Sequence, residues 1–189
     1  MTKTKKPPIL SPLVPEKLSS ASLTRPACAL CALGSECQSP FVQPYRPRGW
    51  TGKLLIVGEA PGEDEENERR GRPFTGAAGK LLRSLWRSAG YADCDVALVN
   101  SVRCRPPGNA PPTMQQVRAC RPFLLRTISL LTPEVIVGVG GTSGRALTNK
   151  GTISVTRLRG RSLRSRDFRF LSPRSLRTIR PPFYMVLLI

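Results

Sequence analysis

Leu55–Gly76 reads LIVGEAPGEDEENERRGRPFTG. It opens as an apolar run and turns at Gly58 into a loop that holds six of the chain's twelve acidic residues. Lys53–Val57 has the length and composition of a parallel strand buried on both faces. In a parallel sheet, ligands sit beyond the carboxyl ends of the strands. The loop after Val57 is therefore the first place to look for chemistry.

The pattern repeats outward from there. Gly79–Ala89 carries Leu81, Leu82, Leu85 and Trp86 at helical spacing, with Arg83 and Arg87 on the other face and Gly90 as a stop. Val96–Val102 reads as a second strand. Thr113 can cap a helix through Val117, Cys120 and Leu124 to about Leu131. Glu134–Val139 reads as a third strand, followed by Gly140, Gly141 and a short helix around Ser143–Leu147. Strand, loop and helix in this repetition predict an α/β fold with helices on both faces of a parallel sheet.

The chain has 189 residues, enough for one domain, and 40% of them are apolar. No apolar run reaches the length of a membrane span, and the basic N-terminus lacks the apolar segment of a secretory signal. A net charge of +18 favours a polyanionic partner, most simply nucleic acid, although a solvated basic surface has the same composition. Residues 1–26, with Lys3, Lys5, Lys6 and five prolines, read as a flexible basic arm. Residues 151–189 hold nine arginines, no lysine and one acid, Asp167, so the composition shifts late in the chain.

Six cysteines are present. Cys28 and Cys31 form a C-x2-C pair. Cys104 follows the second strand and Cys120 lies in the next helix, so all four can approach one point. Four thiolates suit zinc or an iron–sulfur cluster; as neutral thiols they pack as small apolar groups. Cys37 and Cys94 fit no pair and read as core or spare thiols.

The stretch GEAPGEDEENERRGRPFTGAAGKLL resembles the first motif of the family 4 uracil-DNA glycosylases. VNSVRCRPPGNAPPT resembles the second segment of that family. CRPFLLRTISLLTPEVIVGVGGTSGRAL resembles its helix–strand–glycine segment, and ISVTRLRGR the turn that follows. The resemblance runs over about residues 25–161, with several motifs in order. It implies a three-layer α/β/α domain at 27–161 around a central, parallel, four-stranded sheet. It implies hydrolysis of the N-glycosidic bond of uracil in DNA, the first step of base excision repair. It also implies a [4Fe–4S] cluster on Cys28, Cys31, Cys104 and Cys120; zinc is the alternative.

By the same resemblance Phe74 stacks on a uracil flipped out of the duplex, and Asn100 reads its edge with an amide that donates and accepts. The backbone at Gly58 and Ala60 contacts the base, because glycine permits close approach. Glu59 lies where the family places a carboxylate near the sugar and the attacking water. Without the motif, Phe74 reads as a core residue and Asn100 as a strand-end cap. The remaining acids, Glu63, Asp64, Glu65, Glu66 and Glu68, are expected on an exposed, solvated loop closed by Arg69, Arg70 and Arg72. Arg103, Arg105 and Asn109 are expected on a loop that meets phosphates. A monomeric, cytoplasmic protein of bacterial type, associated with the nucleoid, is the accompanying expectation.

The chain departs from the family at its end. Family members finish on a strand with a His-Pro-Ser motif, and this chain has no histidine. The nearest look-alike is TIRPPF, with Arg180 in the histidine's place. Residues 162–189 read as an aberrant Arg-rich tail. Codons for Arg177–Tyr184, read in a shifted frame, permit Tyr-His-Pro-Ser-Ala-Leu-Leu, so a frameshift soon after Arg161 is expected. The last strand is then missing or altered, and the third strand or its neighbour keeps an open edge. A catalytically silent iron–sulfur DNA-binding protein of the same fold is the alternative function. A zinc module unrelated to glycosylases would explain the cysteines but not GEAPG, GRPF or Asn100.

Overall fold

The computed structural model describes residues 28–38, 41–67, 72–158, 162–163 and 184–188. The basic arm of residues 1–26, Glu68, Arg69, Arg70 and Arg180 lie outside the described residues.

The opening apolar run forms β1, Leu54–Gly58, and Val96–Asn100 forms β2; every residue of both is buried. They pair in parallel, Leu54 opposite Val96 and Gly58 opposite Asn100. β3, Val135–Val139, pairs in parallel on the other side of β1. Side chains alternate across the sheet and build a core on each face. On one face Leu55, Val57, Val99 and Ile136 pack with Val117, Cys120, Leu124 and Leu147; on the other Leu54, Ile56, Leu98 and Val137 pack with Leu82 and Trp86. This is the expected three-layer α/β/α arrangement.

The helix of the second face, Ala77–Ser88, is narrower in its buried stripe than the sequence pattern suggests. We number it α3, after α1 (Leu33–Glu36) and α2 (Glu63–Asn67). Gly79, Leu82 and Trp86 are buried, whereas Leu81 and Leu85 are 63% and 55% exposed. Positions 79, 82 and 86 follow the helical repeat toward the sheet, and Leu81 and Leu85 fall off that line. Burying Leu82 and Trp86 contributes roughly 1.5–3 kcal/mol for each side chain.

α4, Met114–Leu131, begins at the expected cap. Gln116 N donates to Thr113 Oγ1 at 3.3 Å and Thr113 N donates to Gln116 Oε1 at 2.8 Å, a reciprocal capping box. The helix ends at Thr132, exposed and left-handed with φ 46°. α5, Gly140–Thr148, follows β3 directly, and a short α6 spans Val155–Leu158.

The far side of β3 corrects the expectation of an open edge. β5, Tyr184–Leu188, pairs with β3 in parallel, with Val135 opposite Tyr184 and Val139 opposite Leu188. A short β4, Ser162–Leu163, joins β5 antiparallel, giving the order β2-β1-β3-β5-β4. Four strands are thus parallel, and the fourth comes from YMVLL, an apolar run after the Arg-rich stretch. Its backbone pairs along β3 although its sequence lacks the family's motif. No described helix is long and apolar enough to cross a membrane.

Candidate active site

β1 and β2 end side by side, so their last residues, Gly58 and Asn100, are register partners. Asn100 is 2% exposed, and its Nδ2 donates to Glu65 Oε2 at 3.0 Å. An ionised carboxylate only accepts, so the amide nitrogen must face Glu65 and Oδ1 must face away. Oδ1 lies toward Gly58, where an added Cβ would stand 2.5 Å from it and 2.5 Å from Phe74 Cζ. A strand residue with any side chain would displace both groups, so glycine at 58 is a packing requirement.

Phe74 holds a left-handed backbone, φ 62°, which is unusual for an aromatic residue. Strain of this kind costs on the order of 1–3 kcal/mol and persists where the surroundings fix it. Here Phe74 N donates to Glu65 Oε1 at 2.5 Å, and Gly79 leaves room for the Phe74 carbonyl at the start of α3. Glu65 thus binds Phe74 with one oxygen and Asn100 with the other. Burial raises its carboxyl above the usual range, and the bonds from Phe74 and Asn100 lower it in part.

The acidic run is therefore solvated only in part: Glu63 and Asp64 are exposed as expected, whereas Glu65 is half-buried and Glu66 is buried. Its described acids lie in α2, and Glu63, Glu65 and Glu66 have polar partners there. Glu63 reaches Arg105 Nη2 at 3.3 Å. Asp64 lies against Gly76, the N-cap of α3, where the helix dipole favours a carboxylate. Glu66 is 4% exposed, accepts from Gln38 N at 2.7 Å and pairs with Arg105 Nη1 at 3.0 Å. A charge run hides its partners in sequence, because Gln38, Gly76, Asn100 and Arg105 come from distant segments. The one available signal was Arg105 in the RPP stretch.

The loop after β2 also differs from expectation. Arg103 is fully buried, 1% exposed, and cannot meet phosphate. Arg105 is engaged by Glu63 and Glu66, and its Nε donates to Asn109 Oδ1 at 2.7 Å. Asn109, also left-handed at φ 56°, reaches the cleft.

That cleft, about 520 Å³, opens over Gly58, Glu59, Ala60, Phe74 and Asn100. The structure thus brings the five base- and sugar-facing candidates together. Thr142 Oγ1 donates to Glu59 Oε2 at 2.7 Å, and Arg145 Nη2 donates to Thr142 Oγ1 at 2.9 Å. Thr142 lies in the first turn of α5, so Glu59 is held at a helix N-terminus. Thr142 was not legible beforehand; nothing in GGTSG marks it as a partner of a residue 83 positions earlier.

Four of the thiols, those of Cys31, Cys37, Cys104 and Cys120, belong to or border one core cluster. Cys104 and Cys120 are buried, and Cys31 packs against the same core cluster. Cys120 feels both Cys28 and Cys31 electrostatically, and Cys104 feels Cys120 and Cys37. Burial pushes the Cys104 thiol up to about 12 and the Cys120 thiol up to about 11. Among the described residues no three ligating side chains draw up to metal distance. The donor chemistry still fits a thiolate-bound group. Phe41 N donates to Cys104 Sγ at 3.4 Å, and buried Arg103, beside Cys104 and Cys120, has an orphaned Nε. Cys37 touches Cys104, so it belongs to this cluster's surroundings, whereas Cys94 lies beside Thr51 and Lys53.

Comparison with known proteins gives these groups a context. The sequence model of the Uracil DNA glycosylase superfamily matches residues 49–183. A type-4 uracil-DNA glycosylase of Thermotoga maritima is 43% identical over 108 residues, 57% of this chain and 55% of its own length. One from Saccharolobus solfataricus is 39% identical over 136 residues, 67% of this chain and 62% of its own. A type-5 uracil-DNA glycosylase of Mycobacterium leprae is 36% identical over 121 residues, 52% of each. The chain spans about half to three-fifths of the curated relatives it matches. With the superfamily match covering well over half of the sequence and falling on the strands that carry Gly58 and Asn100, the chain belongs to the uracil DNA glycosylase superfamily.

Proposed function

We propose that the chain is a uracil-DNA glycosylase that takes uracil out of the DNA stack and hydrolyses its N-glycosidic bond. The observation that carries this reading is the meeting of Phe74 and the Asn100 Oδ1 on the bare face of Gly58. An aromatic face and an acceptor of fixed polarity suit a base that presents N3–H. Uracil does so and cytosine does not. Asn100 Nδ2 keeps a second hydrogen for the uracil O4.

In the reaction, water oxygen bonds to C1′ as the bond from C1′ to N1 breaks. The base leaves with the bonding electrons and a proton follows, to give free uracil and an abasic sugar. Glu59, fixed by Thr142, is placed to orient that water and to stabilise positive charge on the sugar. Glu65 acts through Asn100 and Phe74 as a positioning residue. Cys28, Cys31, Cys104 and Cys120 would hold the iron–sulfur cluster, with zinc as the alternative. The group would supply a structural clamp for the loop that carries Arg105 and Asn109. DNA containing uracil is the partner, with affinity that falls steeply as salt rises, because the +18 charge displaces counterions from phosphate. The protein acts as a monomer in the cytoplasm, at the nucleoid.

The absence of histidine favours a second reading, an impaired iron–sulfur DNA-binding protein of the same fold. Losing one donor to the departing base costs about 100- to 1000-fold in rate. Arg180 is the candidate substitute, and a frameshift after Arg161 is the candidate origin of residues 162–189. Uracil release from a single-stranded oligonucleotide tests the reading. Activity abolished by Asn100→Ala supports the glycosylase. Salt-sensitive binding without release, restored when the tail is replaced by its alternative frame, supports the impaired form. Release unaffected by Asn100→Ala overturns the site.

A further inference from the structure

Arg103 is a cation in the core with no carboxylate beside it among the described residues. It is 1% exposed, the largest of the fully buried side chains. Its Nη2 donates to Thr127 Oγ1 at 2.8 Å and its Nη1 to the Val42 carbonyl at 3.4 Å, while Nε finds no partner. Phe41 lies with its ring centroid 5.6 Å from the guanidinium carbon. Among the described residues no carboxylate pairs with it. Among the described residues, the ionisable groups that act on it are Cys120 and Cys104. Arg105, two residues on, is paired with both Glu63 and Glu66. The described residues thus supply carboxylates to the partly exposed arginine and none to the buried one.

A guanidinium cannot shed its proton to escape burial, and two neutral hydrogen bonds do not offset the loss of water. Neutral thiols give it no counter-charge. Thiolates bound to a metal group do: four of them around zinc, or around a [4Fe–4S] core of charge +2, leave a net charge of −2. We propose that Arg103 is the buried counter-cation of the thiolate-bound group at Cys104 and Cys120. It is a positioning and charge-balancing residue, and its role is to hold that group's negative charge inside the core. The inference rests on the thiolate-bound reading of the cysteines given above.

The test uses the full chain purified without oxygen, with its iron, sulfide and zinc measured. Arg103→Met keeps length and apolar bulk but removes the charge; Arg103→Lys keeps the charge but loses the fork of donors. With Arg103→Met, release of the metal to a chelator should be at least tenfold faster. If the group is iron–sulfur, its midpoint potential should also fall by about 59 mV or more, a tenfold change in the one-electron equilibrium. Arg103→Lys should stay near the parent in both. If Met does not accumulate as folded protein, the Lys variant decides alone: parent-like retention supports the charge, and loss of the group overturns it. Metal held by the Met variant as by the parent overturns the proposal and leaves the cluster standing. A parent protein with neither iron nor zinc overturns the cluster reading and the proposal with it.

Discussion

Two neighbouring regions handle buried charge in opposite ways. The wall built by α2 crowds Glu63, Asp64, Glu65 and Glu66 into one helical turn, leaves the first two at the surface and gives the buried Glu66 and half-buried Glu65 partners. Across the loop after β2, Arg103 lies deeper than any of these and has none among the carboxylates described. The comparison separates charge density from charge cost. Four acids in a row are tolerable because distant segments bring an arginine, a helix terminus, an amide and backbone N–H groups to meet them. One cation is the expensive group, because none of the described acids reaches it.

The largest expected effect breaks the wall at its buried end. Glu66→Ala removes the partner of Arg105 and the acceptor of Gln38 N, and loss of one member of a buried pair costs about 3–5 kcal/mol. Denaturant midpoints at constant slope check this; a change under 1 kcal/mol, about the value of an exposed pair, would place Glu66 among surface charges.

Next comes Asn100, the proposed edge reader, which Glu65 of the wall holds. Asn100→Ala should lower kcat/KM for uracil release by about 100-fold or more, while leaving salt-dependent DNA binding intact. Equal loss of binding and release would mean that Asn100 acts in folding alone.

Glu65 sharpens the comparison because its two effects differ in sign. Glu65→Gln removes the fixed polarity of the Asn100 amide and should reduce uracil release about tenfold. Its stability should hold or rise at neutral pH. The Glu65 carboxyl is raised in the native state, so its contribution is complete below the ordinary carboxylate value and declines as pH rises through the raised one. E65Q should lose that decline, which paired thermal melts at about pH 4 and pH 7 would read. A decline of the same size in both proteins would assign it to another group.

The smallest effect is a control from outside both regions. Thr113→Ala removes the capping box of α4 and should cost about 1 kcal/mol with excision unchanged.

The difference between the two regions also explains what could be read from the sequence. β1, β2, β3 and the cap at Thr113 were legible because each depends on local pattern: apolar runs for doubly buried strands, and a hydroxyl before a helix. Gly58, Phe74 and Asn100 were legible only through the motif that surrounds them. The solvated reading of Glu65 and Glu66 failed because a charge run carries no trace of a partner 28 or 35 residues away. The phosphate-facing reading of Arg103 failed for the same reason: one arginine of RCRPP is buried and the next is paired. The open-edge reading failed because β5 needs only five β-forming residues to pair with β3, whatever motif they lack.

Thr132 has one further consequence, for anyone who would engineer this chain. It shares with Phe74 a backbone conformation that L-residues avoid, and a β-branched side chain makes the strain worse. Phe74 is locked there by Glu65 and Gly79, whereas Thr132 is exposed at a helix end and touches no site. Asparagine or glycine adopts that conformation with less strain. Thermostability is therefore on offer at position 132, reached by one codon change that leaves the cleft over Gly58 as it is.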